Sequence, residues 1–161
     1  ILGASVRSIG DYAFYNTSLH TITLGSAVET IGNSAFKETV IPSIAIPDST
    51  TTIGAEAFRG TAITAITLPV SITSIPGSAF RECASLAQVT LGSAVDAIHG
   101  YAFYETAITA ITIPASVTLI ENSSFGSCAS LTHVSLASMP TIKHDAFCGS
   151  PVASLNIDTP S

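Results

Sequence analysis

The four histidines of this 161-residue chain, His20, His99, His133 and His144, are the first side chains to test for acid–base or metal chemistry. They sit at unrelated offsets and do not form the paired His/Cys runs from which zinc sites are built. Nucleophilic catalysis fares no better. The chain holds 22 Ser and 20 Thr, too many for any one to stand out, and no Gly-x-Ser-x-Gly elbow. No catalytic residue, metal or cofactor is therefore expected, and the chain reads as non-enzymatic. Two Asn-x-Ser/Thr triplets, Asn16-Thr17-Ser18 and Asn122-Ser123-Ser124, have the pattern of N-glycosylation acceptors.

Composition removes further classes. Five cations against eleven acids leave a net charge of −6, too few positive groups to neutralise many phosphates, so a nucleic acid is not an expected partner. Hydrophobic residues make up 47% and charged ones only 10%, which is not the balance of a disordered chain. No apolar run approaches the roughly 18 residues of a membrane span. Hydroxyls in place of charges make a surface solvated by neutral groups, expected outside the cell or on its surface.

What must position all these residues is a repeat. The seven Phe (Phe14, Phe36, Phe58, Phe80, Phe103, Phe125, Phe147) recur every 22 or 23 residues, and an Ile stands five residues before each, from Ile9 to Ile142. Ala precedes each Phe except Phe125, where the residue is Ser124, and a small Thr, Cys or Ser follows three positions on. Between successive Phe lie apolar triplets such as Ile63/Ile66/Leu68 and Leu131/Val134/Leu136, whose last two members are two residues apart and face one side of a strand. Pro or Gly commonly closes that strand. A second short run ends on the recurring Ile, and the Ala-Phe-x-x-Thr/Cys stretch predicts a single helical or 3₁₀ turn.

One such unit cannot bury its own apolar side, whereas stacked units can. The expected fold is a repeat solenoid of the leucine-rich kind with about seven coils. It has a parallel sheet on one face, and short second strands with single turns on the other. All of 1–161 forms one domain. Projected onto this stack, the position after Phe reads Tyr15, Lys37, Arg59, Arg81 and Tyr104, and the next reads Asn16, Glu38, Gly60, Glu82 and Glu105. With Tyr12 and Tyr101 alongside, this is a candidate interaction ridge, since aromatic and Arg side chains are enriched where partners bind. Cys83 and Cys128 share a phase two coils apart, roughly 10 Å and beyond disulfide reach. Cys148 occupies an outer phase and is expected to be exposed.

The unit also resembles the BspA-like, or Treponema pallidum-type, leucine-rich repeat, most closely over residues 108–128: Ile108, Ile111, Ile113-Pro114, Ser116-Val117, Ile120, Ser124-Phe125 and Cys128. Glu121 and Ser124 depart from the Gly and Ala of that pattern. The resemblance implies a secreted or cell-surface protein engaged in adhesion and protein–protein contact, with a protein or glycan as ligand. It carries no catalytic or ligand-binding residues across. Leu2 and Ile157 occupy one phase, and neither end reads as a cap. The expectation is an excerpt of a longer array, with end-to-end stacking into an extracellular filament as the alternative.

Overall fold

The structure, a computed structural model, describes residue 3 and residues 5–157. Leu2, whose phase was matched to Ile157, and the last four residues lie outside the described ones. Among the described residues twelve short strands follow one another: β1 Ser8–Ile9, β2 Thr30–Ile31, β3 Thr52–Ile53, β4 Ala65–Thr67, β5 Ser74–Ile75, β6 Gln88–Thr90, β7 Ala97–Ile98, β8 Ala110–Ile113, β9 Leu119–Ile120, β10 His133–Leu136, β11 Thr141–Ile142 and β12 Ser154–Ile157. All pairings are parallel and one coil apart, as Val134 opposite Ile111 and Ile31 opposite Ile53 illustrate. The chain is a parallel β-solenoid of about seven coils.

Alternation of buried and more exposed residues marks most of the strands, whereas β6, β11 and β12 have no buried residue. In β8, Ile111 and Ile113 are buried and Ala110 and Thr112 exposed, the period of two that one-sided burial requires. Inside the rod the seven Phe rings form one column. Successive centroids lie 5.2–5.5 Å apart with interplanar angles of 3–12°. Phe36, Phe58, Phe80, Phe103 and Phe125 have no exposed surface, while Phe14 and Phe147 at the two ends are partly exposed. Burying each inner ring stabilises the rod by about 1.5–3 kcal/mol.

The helical or 3₁₀ turn expected around each Phe does not form, and no helix occurs among the described residues. Half of the local pattern is present. Ala35, Lys37 and Thr39 donate backbone bonds to Gly32, Ser34 and Phe36, the three-residue step of a 3₁₀ turn. The alternate residues Ser34, Phe36 and Glu38 instead donate to Ala55, Ala57 and Arg59 of the next coil. A helix keeps every N–H along its own axis, whereas this edge sends every second one to its neighbour. Two left-handed residues per coil make that possible, at φ 52° for Ser34 and 59° for Glu38, and the same two positions recur from Tyr12 and Asn16 to Asp145 and Gly149.

The sheet on the first face is also less continuous than the repeat implies. It divides into β4-β6 and β8-β10-β12, and residues 19–24 and 41–46 form no strand. Pro42 accounts for part of this. Thr64 donates its N–H to the carbonyl of Pro42, but Pro42 has no N–H to donate to the coil below it. On the second face, the glycines after the Ile column let coils approach closely. A Cβ on Gly54 would lie 2.4 Å from the backbone nitrogen of Asn33, and one on Gly32 would lie 2.6 Å from that of Asp11.

Candidate functional site

The ridge is built by the turn edge. Phe and the residue before it are buried in the inner coils, whereas the ridge side chains one position after Phe or two before it reach the surface, and stacking at one coil per strand spacing lines them up. Lys37 Nζ lies 2.7 Å from Glu56 Oε2. Arg59 reaches the same carboxylate at 3.2 Å through Nη1 and Glu82 at 3.1 Å through Nε. Arg81 Nε donates to Glu82 Oε1 at 3.0 Å. Aromatic rings close both ends of this zigzag. Lys37 sits 5.7 Å from the Tyr15 ring centre, and the Arg81 guanidinium sits 5.4 Å and 5.3 Å from Tyr101 and Tyr104. Tyr12 packs edge-on against Tyr15 at 6.0 Å, and Tyr101 against Tyr104 at 5.4 Å.

All seven ridge residues read from the sequence therefore belong to one run of contacts. Its missing member was Glu56, which stands two residues before Phe58 in the same column as Tyr12 and Tyr101. Extending the row projection to that column would have found it. Glu38, in the acidic row beside the cations, has no ion-pair partner among the described residues. Electrostatically the strip is self-compensating. The hydrogen bond from Lys37, reinforced by Arg59, holds the Glu56 carboxyl below its ordinary pKa despite its partial desolvation. The hydrogen bond from Arg59 does the same for Glu82, with Arg81 adding to it. The three cationic side chains are 17%, 26% and 31% exposed, against 61% for Tyr12 and 42% for Tyr15 and Tyr101, so these three rings stand out further than the cations, while Tyr104 is half-buried.

Asn16 and Asn122 are both exposed on the turn edge. Cys83 and Cys128 are buried and unpaired, and Cys148 is exposed. Burial pushes the Cys83 thiol up to about 11 and raises that of Cys128. Each thiol donates into the coil below, Cys83 to the carbonyl of Phe58 at 3.0 Å and Cys128 to that of Phe103 at 3.1 Å. Of the histidines, His99 lies 3.3 Å from Glu121 and His144 2.7 Å from Asp145. No group of three or more His, Cys, Asp or Glu suited to a metal occurs among the described residues. Nor is any helix there long and apolar enough to cross a membrane.

Comparison with known proteins puts this geometry in context. No curated protein matches the chain. Among solved structures, a leucine-rich repeat protein from Bacteroides ovatus superimposes with a TM-score of 0.87 at 29% identity, covering 94% of this chain and 40% of its own. A leucine-rich cell surface protein from Faecalibacterium prausnitzii does so with a TM-score of 0.76 at 37% identity over 84% of this chain and 38% of its own. The T. pallidum leucine-rich repeat protein gives a TM-score of 0.66 at 25% identity over 81% and 59%. The chain thus spans less than two thirds of the length of each. The sequence profile described as the BspA type leucine-rich repeat region matches in six copies, over residues 1–62 and 51–160. With the Phe column, the parallel one-coil register and that profile covering nearly the whole chain, the chain belongs to the BspA-type leucine-rich repeat family.

Proposed function

We propose that this chain is a non-enzymatic rod, outside the cell or on its surface, that binds another protein through the Tyr/Arg ridge. The observation that carries the reading is the continuous strip from Tyr15 to Tyr104, in which every cation already has a carboxylate partner and the Tyr12, Tyr15 and Tyr101 rings are more exposed than the cations. Charges paired in this way offer little to a polyanion. Fixed aromatic rings over neutralised charge suit a protein surface, where such residues dominate binding energy. The likeness to a protein named for the cell surface supports the location.

The test replaces Tyr12, Tyr15, Tyr101 and Tyr104 by Ser together and measures binding to immobilised extracellular proteins and to a glycan array. The ridge reading expects a loss of about 100-fold or more on the protein arm, in keeping with two hot-spot side chains. Undiminished protein binding would move the contact elsewhere, and loss confined to the array would make the ligand a glycan.

A further inference from the structure

Ser124 breaks a rule that the rest of the rod keeps. The residue before Phe is Ala in the six other coils, at Ala13, Ala35, Ala57, Ala79, Ala102 and Ala146. Ser124 is completely buried, and its hydroxyl is one of two buried side-chain oxygens among the described residues with no hydrogen-bond partner, the other being that of Ser154. Removing a hydroxyl from water without giving it a partner opposes folding, and Ala evidently fits the site. No hydrogen bond among the described residues uses this oxygen. Two residues earlier, Asn122 is exposed and its side chain makes no hydrogen bond among the described residues, although its backbone carbonyl accepts from Tyr101.

We infer that Asn122 carries an N-linked glycan, and that Ser124 is present for the unfolded chain, where its hydroxyl completes the acceptor triplet Asn122-Ser123-Ser124. A hydroxyl buried in the fold is fully accessible while the chain is still being made, which is when such triplets are read. The inference rests on the extracellular reading above, because modification of this kind accompanies export. In the transfer, the Asn122 side-chain nitrogen attacks the anomeric carbon of a glycan carried on a lipid pyrophosphate. A C–N bond forms and the C–O bond to the pyrophosphate breaks. The lipid pyrophosphate leaves with the electron pair, and one amide proton passes to a base of the transferase. The finished fold then leaves the acceptor outside and encloses the hydroxyl. Asn16-Thr17-Ser18 bears no such mark, since Ser18 is exposed and costs the fold nothing.

Peptide mass mapping of the chain secreted from a host with N-glycosylation tests this, with and without enzymatic glycan release. Occupied Asn122 in the parent chain and in Ser124→Thr, and bare Asn122 in Ser124→Ala, are the expected results. Made without glycans, Ser124→Ala should also favour the folded state about tenfold over the parent, through loss of an unpartnered hydroxyl. A bare Asn122 in the secreted parent chain overturns the inference, and so does a Ser124→Ala chain no more stable than the parent. Fractionation of the native source decides the extracellular reading separately.

Discussion

Glu105 is an exposed residue with φ of 56°, at a column position where two of the seven coils, at Gly60 and Gly149, use glycine with φ of 67° and 76°. Left-handed backbone costs a residue with a Cβ about 1–2 kcal/mol, whereas the extra freedom that glycine loses on folding costs about 0.5–1 kcal/mol. The first effect is larger, so Glu105→Gly should raise stability by about 0.5–1 kcal/mol and Gly60→Ala should lower it by a similar amount, both read from denaturant midpoints. The paired carboxylates of the ridge give a pH dependence. Glu56 and Glu82 have folded pKa values below their ordinary ones. Their contribution is therefore complete above the ordinary carboxylate range of about 4 and is lost as pH falls through the lower folded values. Both side chains are 35% exposed, so the effect is small and screened by salt. Unfolding midpoints compared between neutral pH and pH about 3 should fall less for the Glu56→Gln, Glu82→Gln double variant than for the parent chain; an equal fall would remove these two groups as its source. This part of the ridge was legible from sequence where rows could be projected, as for Lys37, Arg59 and Arg81. Projecting its column would also have placed Glu56 on the ridge, but not its pairing, which depends on whether a side chain leans up or down the rod.

Among the structural elements, the Phe column and the coil-to-coil ladder act together. Phe80 has no exposed surface and stacks on Phe58 and Phe103 at 5.4 Å and 5.3 Å. Phe80→Ala should cost about 3–5 kcal/mol by calorimetry or denaturant titration. Phe14→Ala should cost clearly less, because Phe14 is partly exposed and stacks on only one described ring. Equal losses at the two sites would mean that the column is not the source of stability. The column was readable because one residue type per coil at a fixed interval leaves no other arrangement. The turn around it was misread because Ala-Phe-x-x-Thr suits a 3₁₀ turn by composition, and left-handed Ser, Glu and Tyr give no warning of themselves. The divided first sheet was missed for a similar reason. The apolar triplets persist through residues 19–24 and 41–46, yet the N–H absent at Pro42 removes a rung that side-chain pattern cannot reveal.

Among the described residues the hydrogen bonds run within a coil or between adjacent coils, so the parts of the rod can open separately in the manner of other linear arrays. The buried thiols give that property an observable. Cys83 and Cys128 each hang from a carbonyl one coil below, lie two coils apart and are shielded, with the Cys83 thiol pushed up to about 11. A thiol-reactive dye near neutral pH should mark Cys148 on mixing and the other two only when their coils part. Prompt labelling of Cys83 would contradict the burial. Slow labelling at unequal rates would make these sulfurs two separate clocks within one molecule, each timing the breathing of its own neighbourhood. A single shared rate would mean that the intervening coils move as one body. The repeat thus carries probes of its own cooperativity, placed there by nothing more than the choice of cysteine over threonine in two coils.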